Sequence, residues 1–285
     1  MDVSMGLPTT VPGVSGAALL EFARRADRAG FTGLCAVDRL VHEGYEPLAS
    51  LAAAAAVTTR IRLASTVLLG AYRGSGAVLA KQLATVDRLS DGRLVVGLAV
   101  GDREDDFLAA GVPFRERGRR MDSLVRELRA VWAGEGPAAA VGPRPVRPGG
   151  PPLLFGGHSP AAMRRAARYG SGWISGGSSG SAYRELVGRA REAWARAGRT
   201  DPPRVVSLCY VSLGPDGRRH AEEYLHSYYA YIRAKARQAA SRAVTDEGRL
   251  REVLAEYADA GCDEVVLFPC SADPAQVDLV AGAVR

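Results

Sequence analysis

The chain has 285 residues, 47% hydrophobic and 24% charged, proportions of an ordinary globular protein that exclude a disordered chain. Its net charge of +6 comes from 37 basic and 31 acidic residues. Nearly all the basic residues are arginine, Lys81 and Lys235 being the lysines. They are spread along helices without the dense stripe and interleaved aromatics of a nucleic-acid binder. That dispersion reads as solvated helix faces, with attraction of a small phosphorylated ligand as the functional alternative. The longest apolar run, 48–57, is mostly alanine and falls well short of the ~18 residues that cross a membrane. The N-terminus lacks the basic, apolar and small-residue order of an export signal. Cys35, Cys209, Cys262 and Cys270 show no CxxC or zinc-ligand spacing and read as free, mostly buried thiols. The expectation is a cytoplasmic protein that binds neither nucleic acid nor membrane.

In chain order, an apolar β-type run at 3–7 leads to an amphipathic helix over 15–29, with Ser15 as its cap and Gly30 as its stop. A second run at 33–37 precedes an alanine-rich helix over 47–59. A third, 61–69, precedes a helix over 76–90 with Leu79, Leu83, Val86 and Leu89 on one stripe. The fourth run is 94–100, followed by a helix over 117–133 and a Pro-, Gly- and Ala-rich loop over 134–151. Runs at 152–155 and 173–175 are followed by helices over 160–169 and 181–197. The seventh run, 205–211, precedes helices over 220–243 and 247–260, and the eighth, 264–268, precedes a closing helix over 273–284. The runs are apolar on both faces, as parallel strands covered by helices are. Eight strands, each followed by helical material, are the arithmetic of an α/β fold of the (β/α)8 TIM-barrel type in a single domain, 1–285. A doubly wound open sheet is the competitor, but Gly6-Leu7-Pro8 after the first strand is no GxGxxG turn.

In such a barrel the chemistry sits at the C-terminal strand ends. These are Leu7-Pro8-Thr9; Asp38-Arg39 with His42 beyond; Ser65-Thr66-Val67; and Gly101-Asp102-Arg103 after Val100. Later in the chain come Gly156-Gly157-His158-Ser159, Gly176-Gly177-Ser178-Ser179, the region of Ser212, and Pro269-Cys270-Ser271. Two of these loops are rich in glycine and run straight into helices, the composition that lets backbone N–H groups approach a phosphate. A tight turn with a helix cap is the simpler reading of each. Asp38 either meets a ligand or caps its loop. Arg39 is an anion or oxyanion partner or a surface side chain, and His158 is a phosphate contact, a proton carrier or incidental. Asp102, Glu104, Asp105 and Asp106 lie close in sequence to Arg103, Arg117, Arg119 and Arg120. That mixture favours salt bridges over a metal site, so no metal is expected. Tyr224, Tyr228, Tyr229 and Tyr231 form either a packed helix face or one wall of a substrate pocket.

The stretch Leu79-Ala80-Lys81-Gln82-Leu83-Ala84-Thr85-Val86-Asp87-Arg88-Leu89-Ser90-Asp91-Gly92-Arg93 resembles the bacterial luciferase-like superfamily. So do Arg103-Glu104-Asp105-Asp106-Phe107, Gly156-Gly157-His158-Ser159 through Tyr169-Gly170, and Ala258-Asp259-Ala260-Gly261. The resemblance implies a barrel holding reduced FMN or, alternatively, coenzyme F-420 in its mouth. It implies a bulge with a non-prolyl cis peptide within 65–68, involving Ser65, Thr66 and Val67. Leu7, Val100, Asp102 and Arg103 would lie along the ligand, and Gly156, Gly157, His158, Ser159 and Gly176 at its phosphate. It further implies a homodimer formed through the helices after the second and third strands, and a separate flavin reductase as partner. Family members often carry a histidine after the second-strand aspartate; here that position is Arg39. Asp38, Arg39 and His42 are therefore the catalytic candidates, with Arg39 stabilising an oxyanion or His42 taking the histidine's place. The expected activity is reduced-flavin-dependent oxygenation of a small organic substrate. The alternatives are hydride transfer with coenzyme F-420, a non-catalytic flavin-binding barrel, and a cofactor-free lyase or metal hydrolase.

Overall fold

The computed structural model describes residues 1–177 and 180–285; Ser178 and Ser179 of the second glycine loop lie outside the described residues. Eight strands close into a barrel in chain order: β1 (Asp2–Gly6), β2 (Gly33–Ala36), β3 (Arg62–Leu69), β4 (Leu94–Ala99), β5 (Leu153–Gly156), β6 (Gly172–Ile174), β7 (Arg204–Val211) and β8 (Glu264–Pro269). Every neighbouring pair is parallel. The ring closes where β8 returns to β1, from Asp2 opposite Glu264 to Met5 opposite Leu267. The helices outside are α1 (Gly16–Ala29), α2 (Pro47–Ala55), α3 (Gly76–Leu89), α4 (Glu104–Ala109), α5 (Arg117–Ala133), α6 (Pro160–Tyr169), α7 (Gly180–Arg196), α8 (Gly217–Tyr228), α9 (Arg233–Arg242), α10 (Glu247–Asp259) and α11 (Ala275–Val284).

Local chemistry sets these boundaries. Ser15 Oγ accepts from the Ala18 N–H at 3.1 Å to start α1, whose Leu19, Phe22, Ala23 and Ala26 recur at helical spacing and are buried. In α5 the same spacing buries Met121, Leu124, Val125, Leu128 and Trp132, and the indole N–H of Trp132 donates to the Ala80 carbonyl of α3 at 3.1 Å. Leu79, Leu83 and Val86 of α3 are buried as their stripe predicts, whereas Leu89 is exposed at the helix end.

Two elements differ from the sequence reading. The acidic run after β4 forms the helix α4, because Glu104, Asp105 and Asp106 occupy its first turn, where the helix dipole favours negative charge. The helix expected over 220–243 is broken between Tyr228 and Arg233. The break lets successive rings turn toward the barrel: the Tyr229 hydroxyl meets that of Tyr210 at 2.8 Å, and the Tyr231 ring lies under the Arg103 guanidinium at 3.4 Å.

Inside the barrel, side chains form layers. At the N-terminal end Glu264 is surrounded by Ser4 Oγ (2.5 Å), Arg62 (2.6 Å) and Arg204 (2.9 Å), and Arg204 also reaches Asp2 at 2.5 Å. Above this ionic layer Cys35, Ala64, Leu154, Val206, Val266 and Phe268 are buried together. Nearer the C-terminal end Val37, Val67, Leu208 and Tyr210 pack on that cluster but are only half-buried. One end of the barrel is thus sealed by charge pairs, and the other presents an apolar floor.

Candidate active site

The β5 and β6 tips build one wall of the mouth. Ser159 caps α6, its Oγ accepting from the Ala162 N–H at 3.2 Å, and Pro160 follows in the first turn. The Trp173 indole on β6 holds the loop from below by donating to the Gly157 carbonyl at 2.8 Å. Gly157 adopts φ +118°, a conformation that favours glycine. His158 Nε2 lies 3.1 Å from Ser175 Oγ, and Arg189 of α7 donates to the His158 carbonyl at 3.2 Å. Burial, and then the positive charges of Arg189 and Lys235, hold the His158 pKa below the ordinary imidazole value. The ring is therefore neutral at pH 7, surrounded by positive potential. Gly176 is exposed, with open space around its Cα among the described residues.

The second wall is β3. Its register against β4 shifts between Ser65 and Leu68, and the Thr66–Val67 peptide is cis, as the resemblance implies. Ser65 Oγ is engaged with the Gly97 carbonyl at 2.9 Å. Thr66 Oγ1 is buried beside the Cys35 thiol, with no oxygen or nitrogen partner among the described residues. The two walls meet: a Cβ at position 156 would lie 3.0 Å from Val67 Cγ1 and 3.3 Å from Ala99 Cβ. The β5 backbone is packed so closely against Val67 and Ala99 that only a glycine fits there. The apolar side chains of Val67 and Ala99, a buried hydroxyl and a helix-capping loop near Arg189 and Lys235 together fit a flat ring carrying a phosphate tail.

The third wall comes from β1, β2 and β4. Asp38 is buried, and it accepts from the Leu69 N–H (2.9 Å), the Tyr72 hydroxyl (2.8 Å) and Arg73 (3.0 Å). It fixes the end of β3, 31 residues on in the chain, rather than capping its own loop. The Arg39 side chain is only 4% exposed; its Nε lies 3.3 Å from Asp106 Oδ2, and Nη2 donates to the Val41 carbonyl at 2.6 Å. Its Nη1 has no hydrogen-bond partner among the described residues. The guanidinium lies 5.9 and 5.6 Å from the ring centres of Tyr228 and Tyr231. Burial and the neighbouring Asp105 raise the Asp106 pKa against the backbone N–H of Val41, which lowers it. His42 Nε2 lies 3.0 Å from the Thr10 carbonyl, an acceptor only, so this nitrogen carries the proton; its ring stands edge-on to Tyr228.

Arg103 is buried, bound through two nitrogens to Asp105 (3.2 and 2.7 Å) and donating to the Tyr228 carbonyl at 3.3 Å. Asp102 is exposed and lies 3.5 Å from Lys235 of α9, and Val100 is half-buried. Of the arginines expected beside the acidic run, Arg103 pairs with it, whereas Arg119 pairs with Glu116 and Arg120 bonds the Ala71 carbonyl. The side chain of Leu7 belongs to the packed layer between barrel and helices, leaving its backbone at the β1 tip. Sequence reading passed over Tyr210 and Lys235. Tyr210 was accessible to it through the two-residue period of β7, which aims Val206, Leu208 and Tyr210 inward. Lys235 reaches the mouth only because of the break before α9, which no local pattern announces.

A family model described as luciferase-like monooxygenase matches residues 1–277. Among solved structures, a monooxygenase from Streptomyces bottropensis is 24% identical, with 100% of this chain and 98% of that one covered at a TM-score of 0.84. An F420-dependent secondary alcohol dehydrogenase in complex with an F420–acetone adduct is 18% identical, covering 100% and 98% at a TM-score of 0.81. The oxygenating constituent of 3,6-diketocamphane monooxygenase from Pseudomonas putida, in complex with FMN, is 17% identical, covering 100% and 96% at 0.77. At these identities the likeness is one of fold. The chain spans 62% of the length of an uncharacterized Mycobacterium bovis protein to which it is 32% identical over 182 residues, 60% of this chain.

Proposed function

The chain belongs to the luciferase-like monooxygenase family, and from that premise we propose that it uses reduced FMN, supplied by a separate reductase, to oxygenate a small organic substrate. The observation that carries this reading is the junction of β3 and β5, where Val67, Ala99 and Gly156 converge beside the buried Thr66 hydroxyl and the His158–Ser159 loop. Reduced FMN, when bound, supplies the electrons that activate oxygen. The chain supplies the rest. Val67 and Ala99 floor the ring site, Thr66 donates or accepts one hydrogen bond there, and His158 and Ser159 hold the phosphate. Asp38 is a positioning residue that ties down the end of β3. The Arg39 guanidinium stabilises negative charge on a substrate oxygen, and His42 is positioned against Thr10 as a proton carrier. The Tyr228–Tyr231 segment excludes water from this side.

A second reading, hydride transfer with coenzyme F-420 and no oxygen, is supported by the fold shared with the F420-dependent alcohol dehydrogenase. Titrating the purified protein with FMN and with coenzyme F-420, and following oxygen uptake during turnover, separates the two. FMN retention with oxygen consumption supports the first, F-420 retention without it supports the second, and retention of neither overturns both. No described helix is long and apolar enough to cross a membrane. A homodimer through α2 and α3 is part of the proposal, supported by the exposed Val78 and Leu89 of α3 beside the alanine-rich α2.

A further inference from the structure

The arginine excess of the sequence is not evenly spent. On α10, charges alternate and neutralise one another: Arg249 pairs with Glu252 and Glu256, and Arg251 pairs with Glu247. Outside the barrel, between α5, α6 and α7, lies a groove of about 730 Å³ whose lining holds seven arginines against two carboxylates, Asp122 and Glu192. Those carboxylates are already engaged, Asp122 with Arg165 at 2.7 Å and Glu192 with Arg196 at 2.9 Å. Arg126, Arg164, Arg168 and Arg189 have no carboxylate partner among the described residues. Like charges facing one another across a groove destabilise it unless an anion lies between them.

The groove is also shaped. It follows α6 from Pro160 to Tyr169, a helix of ten residues and so about 15 Å long. At one end Arg189 is anchored on the His158 carbonyl at 3.2 Å. At the other Arg199 is anchored on the Ala167 and Gly170 carbonyls, each at 3.1 Å, its charge already met by Asp201 at 2.5 Å, so the free charge of the groove comes from Arg126, Arg164, Arg168 and Arg189. Arg165 is held by Asp122 and is only 10% exposed. Guanidinium groups fixed in this way lose little freedom on binding phosphate or carboxylate. Alanines 161, 167, 193 and 197 keep the floor low between them. One phosphate does not span such a length; an extended anion with several charges does.

We propose that the groove along α6 binds a small polyanion, a chain of phosphates or carboxylates, at a site separate from the barrel mouth. The test is calorimetric titration of the full chain with inorganic triphosphate and, in a parallel arm, with citrate. Saturable one-to-one binding is expected, weakening as salt rises. The variant Arg164→Glu/Arg168→Glu loses at least about tenfold in affinity, whereas Arg24→Glu/Arg28→Glu on α1 and His158→Ala at the mouth retain it. The stronger of the two arms identifies phosphate or carboxylate as the group recognised. Because both α6 positions are exposed, melting temperature serves as the folding check, and Arg164→Gln/Arg168→Gln repeats the measurement without charge reversal. Absence of saturation, equal loss in the α1 variant, or loss in His158→Ala overturns the proposal. FMN retention in the α6 variants is read separately, so failure of this site and failure of the flavin reading are distinct results.

Discussion

The two ends of the barrel use polar groups in opposite ways. At the N-terminal end the Glu264 carboxylate is enclosed by Ser4, Arg62 and Arg204, and Arg204 is shared with Asp2. At the C-terminal end Thr9 Oγ1, Thr66 Oγ1 and Arg39 Nη1 are buried without an oxygen or nitrogen hydrogen-bond partner among the described residues, and Val37, Val67 and Tyr210 are half-buried. A buried polar group without a partner costs roughly 1–3 kcal/mol. Unpartnered atoms also occur elsewhere, at Arg62 Nη2 of the sealed end and at Ser207 Oγ, so the contrast rests on the charge network at one end and the half-buried apolar side chains at the other.

The largest expected effect breaks the sealed end. Glu264→Ala leaves Arg62 and Arg204 facing one another without the shared carboxylate, and stability falls by about 3 kcal/mol, measured by denaturant unfolding. FMN affinity, read well below the melting temperature, stays the same. An equal loss at both readouts would erase the division of labour between the ends. Next comes Gly156→Val at the open end. Its side chain crowds Val67 and Ala99, so overpacking costs about 1–3 kcal/mol of stability and FMN affinity drops more than about tenfold. Unchanged flavin affinity in a folded Gly156→Val protein would remove the β3–β5 junction from the site.

The barrel was legible because each strand and helix carries its own short-range signal, two-faced apolar runs and 3.6-residue stripes, and these repeat eight times in order. The His158–Ser159 loop was legible for the same reason, since a cap and a proline are local features. What escaped depends on contacts between segments distant in the chain. Asp38 offers the same carboxylate whether it meets a ligand or a backbone; the N–H of Leu69 and the hydroxyl of Tyr72 decide it. The break between α8 and α9 is likewise set by Tyr210 and Arg103, residues about 20 and 125 positions away from their partners. Helix propensity within 220–243 carries no trace of either.

Smaller effects test single atoms of the open end. Thr66→Val keeps the shape of the side chain and removes a buried hydroxyl that has no oxygen or nitrogen partner among the described residues. Stability therefore holds or rises slightly, while FMN affinity falls about two- to tenfold, the equivalent of one hydrogen bond. Spectroscopic titration of both proteins checks this, and equal affinities would leave Thr66 without a ligand role.

The smallest effect comes from His158. Its folded pKa lies below the ordinary value of 6.5, so the folded state binds fewer protons than the unfolded chain. The stability this histidine contributes is present above about pH 6.5 and is lost as pH falls through the depressed folded pKa. An arriving phosphate opposes the fields of Arg189 and Lys235 and raises that pKa, so phosphate binding takes up a proton. FMN affinity should therefore rise as pH falls from 8 to 7, about one unit above the second pKa of ~6 of the phosphate itself. Riboflavin, which lacks the phosphate, and the variant His158→Asn should both give flat profiles over the same range. A slope that survives in His158→Asn would assign the proton to another group and take His158 out of the phosphate site.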